Sequence, residues 1–198
     1  MQLPILAYGH AMLRQKTQEV PAHYPGLDAL IERMWITLYG ANGCGLAAPQ
    51  VNQPLRLFLV DSQSTYHQLA DKDRQGYFAP DDTGLVETFI NATIVERSAE
   101  TWRDTEGCLS IPTLTATVER PWEITIEYFD RAFQKQQKTF AGATARMIQH
   151  EYDHTEGILY LDYLKPLKKQ LLQNKLRKIT AGQVPAKYPM QYVSDTLS

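Results

Sequence analysis

Residues 142 to 157 read GATARMIQHEYDHTEG, and the rest of the sequence is best understood from this stretch outward. Its spacing is helical, and Gly157 stands where a glycine commonly closes a helix. His150 and His154 are four residues apart, so on a helix they share one face and can bind one ion. Glu151 is rotated by about 100° from His150, which places it to act as general base on a water in the open coordination position. The stretch therefore predicts a metal-binding helix.

Strand-like segments come before this helix. LRLFLVD (55 to 61) is typical of a buried strand, and LVETFINATIVE (85 to 96) also has strand character. EITIEYFDRAFQKQQKTF (123 to 140) alternates on both sides of a short polar turn and predicts a hairpin. Because the strands gather before one central helix, we expect an α+β fold in which antiparallel sheets pack around the metal-binding helix.

The remaining segments complete one expected domain over residues 1–198. Residues 24 to 43 carry one apolar stripe at helical spacing, and residues 62 to 84 are polar and suggest a long surface loop or insertion. A C-terminal helix is predicted over 166 to 182, with proline at its start and glycine at its end. VPAKYPM (184 to 190) is a candidate for a short final strand at a sheet edge, because it holds two prolines.

The composition favours an ordinary globular protein. The chain has 198 residues, of which 43% are hydrophobic and 21% charged. No apolar run approaches membrane-spanning length, so no membrane partner is expected. MQLPILAYGH at the start lacks the pattern of a secretory signal, and the expected location is the cytoplasm.

Charge is distributed unevenly along the chain. Residues 1–164 carry 13 basic and 21 acidic side chains, a net charge of −8, whereas residues 165–198 carry 7 and 1, a net charge of +6. The basic helix and tail (166–198) either present a solvated face or make a transient contact with ribosomal RNA; DNA is not an expected partner. The basic side chains of this hypothesis are Lys168, Lys169, Lys175, Arg177 and Lys178.

A hydrolytic metal site needs a third protein ligand. Tyr160 stands where one class of zinc peptidase has its third histidine, and no glutamate follows Glu156. The other histidines lie in polar or turn-like settings: His10, His23 and His67. The best candidate is upstream, at Cys108 in TEGCLSIP, where Gly107 permits a close backbone approach. A cysteine beside a dication binds as thiolate, although a lone cysteine is more often structural.

A second glycine-containing segment adds a candidate for transition-state stabilisation. GCGLAAPQ (43 to 50) combines small residues in a way that suggests a backbone lying close to another group, although its glycines are also common in loops. It lacks the lysine and hydroxyl residue of a phosphate-binding loop. The side-chain amide of Gln50 is suited to donate to a developing oxyanion.

The three motifs together resemble peptide deformylase. G-x-G-x-A-A-x-Q occupies residues 43–50, E-G-C-L-S occupies 106–110, and Q-H-E-x-D-H occupies 149–154. Similarity extends from ILAYGHAMLR near the N-terminus to about residue 164. The resemblance implies hydrolysis of the N-formyl group of formyl-methionine at the start of newly synthesised polypeptides, with release of formate.

The resemblance also implies roles for individual residues. Cys108, His150 and His154 would hold one divalent metal ion, which is typically Fe²⁺ in the cell and is often replaced by Zn²⁺ or Ni²⁺ in preparations. Glu151 would act as general base on the metal-bound water. The Gln50 side chain and the N–H of Leu109 would form the oxyanion hole, and the Gly45 carbonyl would bind substrate. The expected substrate-binding residues are Gly43, Cys44, Gly45, Glu106, Gly107, Ala143 and Met147, of which Met147 is equally consistent with core packing.

The sequence departs from the family pattern at three places. Thr155 follows His154 where an apolar residue is usual, Thr113–Thr115 stand where an arginine is usual, and Ala143 and Thr144 replace larger apolar residues. These differences leave open a family member with altered peptide preference. The alternatives from other classes are a metallopeptidase that cleaves peptide bonds and a non-catalytic binding protein that keeps the fold.

Overall fold

The structure is a computed structural model that describes residues 1–193. A five-stranded antiparallel sheet runs in the order β2-β3-β4-β7-β8, and the central helix α4 (Gly142–Thr155) packs against it. The strands are β2 (Gly45–Ala47), β3 (Leu57–Asp61), β4 (Val86–Arg97), β7 (Glu123–Phe129) and β8 (Lys135–Ala141). The predicted α+β class is therefore confirmed, as are the buried strand at 55–61 and the hairpin at 123–140.

Helix α4 is buried along most of its length because small and apolar residues face the sheet. Ala145 and Ile148 are fully buried and pack against strand residues such as Phe89 and Ile126. Gly157, two residues past the helix, has φ +74°, and a Cβ there would lie 2.7 Å from the Arg14 carbonyl oxygen. Glycine is therefore required where the helix ends.

Strands β5 (Thr101–Cys108) and β6 (Ile111–Pro121) form a separate antiparallel hairpin that the sequence reading did not predict. One face of β6 buries alternate apolar residues against the C-terminal helix α5 (Pro166–Thr180) and the segment before it. Strand β5 ends at Cys108, beside the turn of the hairpin, so the hairpin delivers the cysteine to the side of α4 that carries the histidines.

Helix α1 (Leu27–Gly40) confirms the helix predicted within 24–43, and its buried stripe packs in the first core cluster. The segment at 62–84 differs from the expected loop, because it begins with two short helices, α2 (Ser62–Gln68) and α3 (Asp71–Arg74). The Asp61 carboxylate accepts a hydrogen bond from the N–H of Ser64 at 2.8 Å and caps α2. This capping group lies in the preceding strand. It fixes the start of a helix in a segment whose polar composition predicted a loop.

Helix α5 agrees with the predicted C-terminal helix, and Gly182 follows it with φ +68°. The final strand is β9 (Met190–Gln191), which begins where the predicted segment 184–190 ends and pairs in parallel with β1 (Ile5–Leu6). The two prolines precede the strand because proline cannot donate to a ladder. Residues 194–198 of the expected tail lie outside the described residues. Within residues 1–193, no helix has the length and apolar character needed to span a membrane.

Candidate metal centre

Cys108, His150 and His154 come together at the junction of the β5–β6 hairpin and helix α4. Their ligand atoms all lie within 4.8 Å of one another, and the Cys108 sulfur is 3.2 Å from Nε2 of His154. Metal–sulfur and metal–nitrogen bonds of about 2.3 and 2.0 Å fit such separations. Nδ1 of His154 is buried and has no hydrogen-bond partner among the described residues. The donor set of one thiolate and two imidazoles fits a divalent cation with a fourth position left for solvent.

His150 is oriented from behind by Glu106 of strand β5. Its Nδ1 lies 2.9 Å from a Glu106 carboxylate oxygen, which leaves Nε2 free to bind a metal. Arg120 donates two hydrogen bonds to the same carboxylate, at 2.6 and 2.9 Å, and Arg146 donates another at 2.6 Å. Burial would raise the pKa of Glu106, but hydrogen bonds from His150 and Arg120 outweigh it and hold the pKa well below its usual range. The carboxylate therefore stays ionised.

Arg120 links this carboxylate to a second one. Its guanidinium donates to Asp153 at 2.7 Å, and the Tyr163 hydroxyl donates to the same Asp153 oxygen at 2.9 Å. Asp153 lies on the same helix as the two histidines but does not orient either of them. It contacts Arg120 rather than a histidine, because its position on α4 turns it toward β6.

Glu106 was expected among the substrate-binding residues, but its two oxygens are occupied by His150, Arg120 and Arg146. It borders the cavity as a residue that positions His150. A hydrogen bond from the far nitrogen of a ligating histidine to a carboxylate fixes the ring and its tautomer.

Glu151 has the opposite environment. It is buried, and its Oε2 has no hydrogen-bond partner among residues 1–193. Burial raises the pKa of this carboxyl to about 7. Gly45 lies directly against it, since a Cβ at Gly45 would be 2.4 Å from Oε1 of Glu151. The glycine of strand β2 is thus needed to leave room for an unpaired carboxylate beside the ligands.

Gln50 is held with its amide toward the cysteine. Its Oε1 accepts the backbone N–H of Ala47 at 2.8 Å, and its Nε2 lies 3.5 Å from the Cys108 sulfur and 3.2 Å from the hydroxyl of Ser110. The segment that carries it lies close to the hairpin, because a Cβ at Gly43 would be 2.8 Å from the Leu109 side chain. Both parts of the expected oxyanion hole therefore lie near the metal ligands.

A cavity of 1160 Å³ opens beside these groups. Gly43, Cys44, Gly45, Gly107 and Met147 border it, as do Gln50, Cys108, Leu109, His150 and Glu151. A Cβ at Gly107 would make an ordinary van der Waals contact with Cγ2 of Thr115 at 3.4 Å, so internal packing does not require glycine there. Ala143 was expected to bind substrate, but it does not border the cavity. It is fully buried, and its N–H donates to the Tyr77 carbonyl.

Thr113 and Thr115 also border the cavity and are exposed, where the family usually has an arginine. Thr155 is buried with its hydroxyl donating to the Tyr152 carbonyl at 2.7 Å. That internal hydrogen bond satisfies the polar group and accounts for a threonine at an apolar position.

Sequence reasoning missed Arg120 and Arg146. A usable signal was present for Arg120, because residues 114 to 120 alternate and Arg120 falls on the same face as Leu114, Ala116 and Val118. An arginine on a buried strand face needs a carboxylate partner. Arg146 has a similar signal, since it lies one turn before His150 on α4.

Such a fold, with a Cys-His-His cluster, an unpaired buried glutamate and an adjoining cavity, is characteristic of a metal-dependent hydrolase. The polypeptide deformylase family model matches residues 2–170, and the chain belongs to that family. The protein is therefore an enzyme of the peptide deformylase kind.

Individual relatives agree. A peptide deformylase of Christiangramia forsetii is 43% identical over 194 residues, which cover 97% of this chain and 96% of that protein. Among solved structures, a peptide deformylase from Legionella pneumophila is 32% identical with a TM-score of 0.77, covering 92% of this chain and 98% of its own. One from Ehrlichia chaffeensis is 27% identical with a TM-score of 0.79, covering 92% and 99%. The likeness spans nearly the whole chain in each case.

Proposed function

We propose that this enzyme removes the formyl group from the N-terminal formyl-methionine of newly synthesised polypeptides in the cytoplasm. The observation that carries the proposal is the unpaired carboxylate of Glu151, buried beside the convergent ligand atoms of Cys108, His150 and His154. Fe²⁺ is the ion we propose for the cell, with Zn²⁺ or Ni²⁺ able to replace it in purified protein, because thiolate and imidazole suit all three.

The residues divide the reaction between them. A bound divalent cation supplies Lewis acidity that polarises the formyl carbonyl and makes water acidic enough to be deprotonated. Glu151 takes a proton from the attacking water and delivers it to the leaving amine. Water oxygen joins the formyl carbon, the carbon–nitrogen bond breaks, and the products are formate and a free amino terminus.

The remaining groups bind and orient the substrate. The Gln50 amide and the N–H of Leu109 donate to the oxyanion, and these hydrogen bonds strengthen as negative charge develops on the oxygen. The Gly45 carbonyl accepts from the formamide, and Met147 and Cys44 contact the methionine side chain. Glu106 acts through His150, which it holds in one orientation.

The test is formate release from a short formyl-methionyl peptide by wild type and Glu151→Gln. The variant is expected to keep its metal and to lose about 10²- to 10⁴-fold in kcat. Glu156→Gln is the matched control, because Glu156 lies just past the same helix and pairs with Lys16 and Arg56 outside the site. Retention of most activity by Glu151→Gln would remove this residue as the base.

The metal ligands are tested separately by metal analysis on protein purified without oxygen. Cys108→Ser is expected to lower the bound metal sharply, because a neutral hydroxyl replaces a thiolate. Cys44→Ser is the control, since Cys44 borders the same cavity without joining the ligand cluster. Cleavage of an unformylated peptide by wild type would instead favour a metallopeptidase.

A transient ribosome contact through helix α5 is part of the proposal. Its buried residues Leu176 and Ile179 face the core, which leaves most basic side chains exposed. Ribosome co-sedimentation should fall when Lys168, Lys175, Arg177 and Lys178 are changed to glutamine. Unchanged ribosome binding would mean that the basic face of α5 is only solvated and does not contact the ribosome.

A further inference from the structure

The segment 62–84 is attached to the first turn of α4 at Tyr77. The Ala143 N–H donates to the Tyr77 carbonyl at 2.8 Å. Gly142 has φ +59°, and a Cβ there would lie 2.6 Å from the same carbonyl oxygen. A larger residue at 142 would therefore collide with this segment, and the small residues that begin α4 are matched to Tyr77.

A second attachment lies beside the first. The hydroxyls of Ser62 and Thr144 are 2.9 Å apart and buried, and the N–H of Leu85 donates to Ser62 at 2.9 Å. Thr144 is thus polar because it meets a hydroxyl, which explains its departure from the apolar family pattern. Both ends of the segment are fixed against the protein, and Tyr77 is held in place between them.

The Tyr77 side chain borders the cavity. Its ring is half-buried and meets the Trp102 ring edge-on, with centroids 5.7 Å apart. The pKa of Tyr77 is raised to about 12, mainly by burial and also by Asp104, which accepts a hydrogen bond from the hydroxyl, and by the nearby Cys44. The hydroxyl is therefore directed to Asp104, and Tyr77 borders the cavity together with Cys44 and Met147.

The point at which Tyr77 contacts helix α4 shows which part of the cavity it borders. His150, Met147 and Ala143 follow one another at helical spacing, and seven residues at 1.5 Å place Ala143 about 10 Å from His150. Met147 borders the cavity, whereas Ala143 is covered at the point where Tyr77 meets it. Tyr77 therefore borders the cavity on the side of the start of α4, about 10 Å along the helix from His150.

We propose that Tyr77 is a specificity-determining residue that sets the depth of the pocket for the first side chain of the formylated peptide. This rests on the proposed deformylase function. A thioether packs well against an aromatic ring, whereas a bulkier aromatic side chain would meet the Tyr77 ring. The residue comes from 62–84, and its backbone carbonyl accepts the N–H of Ala143.

The experiment compares two peptides that differ only in their first residue, formyl-methionine or formyl-phenylalanine. Tyr77→Leu is expected to lower the methionine-to-phenylalanine ratio of kcat/KM by about tenfold, mainly through KM. Tyr77→Phe keeps the ring and should keep the wild-type ratio. Tyr77→Met retains most of the buried apolar surface and tests the same point if the leucine variant does not fold.

Tyr66→Ala is the matched control. Tyr66 is an aromatic residue of α2 whose ring lies under Arg74 at 4.2 Å, and it does not border the cavity. A ratio within about twofold of wild type for a folded, metal-loaded Tyr77→Leu or Tyr77→Met would overturn the inference. An equal change in Tyr66→Ala would also overturn it, because general loosening would then explain the effect. If wild type releases formate from neither peptide, the proposed function itself fails.

Discussion

The two faces of the β5–β6 hairpin carry the same kind of ion pair in opposite surroundings. Glu119 and Arg120 are neighbours in sequence, so their side chains point to opposite faces. Arg120 meets Glu106 at 2.6 Å with side-chain exposures of 2% and 5%, whereas Arg103 meets Glu119 at 2.7 Å with exposures of 73% and 51%. Distance alone does not distinguish the pairs.

The two ion pairs differ in whether water can solvate their charges. On the inner face the Glu106 carboxylate is desolvated, and its ionised form depends on His150, Arg120 and Arg146. On the outer face water solvates both partners whether or not they meet. The inner pair therefore orients His150 of the candidate metal centre, while the outer pair contributes little to stability.

The largest effect is expected for Glu106→Ala. It leaves Arg146 as a buried charge without a carboxylate partner and Arg120 with Asp153 alone, which costs about 3 to 5 kcal/mol of unfolding free energy. His150 also loses the carboxylate that orients it, so metal affinity should fall about 10- to 100-fold. Urea unfolding and competition with a chelator measure the two effects, and the control is Glu119→Ala on the outer face. Equal losses in the two variants would break the contrast between the faces.

Arg120→Met is expected to be less damaging. The variant keeps apolar volume and leaves Glu106 with two partners, Arg146 and His150, while Asp153 keeps the Tyr163 hydroxyl. The loss of unfolding free energy should be about 2 to 3 kcal/mol, because charged acceptors lose donors without becoming isolated. Metal affinity should fall less than in Glu106→Ala. A larger fall would mean that Arg120, rather than Glu106, governs the position of His150.

The sequence predicted the inner face only in part. The pair of histidines followed from residue type and helical spacing, and the cysteine was proposed because no suitable ligand lies downstream. The hairpin that carries Cys108 was missed, although residues 111 to 120 alternate in burial along β6. No element was predicted for residues 101 to 121, although threonine is common in strands.

Side-chain contacts between separate secondary-structure elements could not be predicted from local sequence patterns. Nothing in the sequence near Glu106 indicates that it meets Arg120, 14 residues later, and Arg146, 40 residues later. Likewise, the contact of Tyr77 with Ala143 joins two segments whose patterns were read separately. Local spacing predicts which residues share a face, but tertiary packing decides what lies against that face.

A smaller effect is expected for Tyr163→Phe. The hydroxyl donates to Asp153 at 2.9 Å, while the ring lies over the Arg120 guanidinium at 4.8 Å and is kept by the variant. Loss of this single hydrogen bond should cost about 1 kcal/mol. Urea unfolding measures it, with Tyr8→Phe as a control from outside the network. A cost near that of Arg120→Met would show that the network fails as a unit.

The smallest effect is expected for the outer pair. A double-mutant cycle of Arg103→Ala and Glu119→Ala should give a coupling of about 0.2 to 1 kcal/mol at low salt. Because both groups are exposed, the coupling should shrink further as the ionic strength rises and the Debye length shortens. Urea unfolding of the four proteins at two salt concentrations measures it, and metal content should stay at the wild-type level throughout. A coupling well above 1 kcal/mol that resists salt would show that exposure does not separate the two faces.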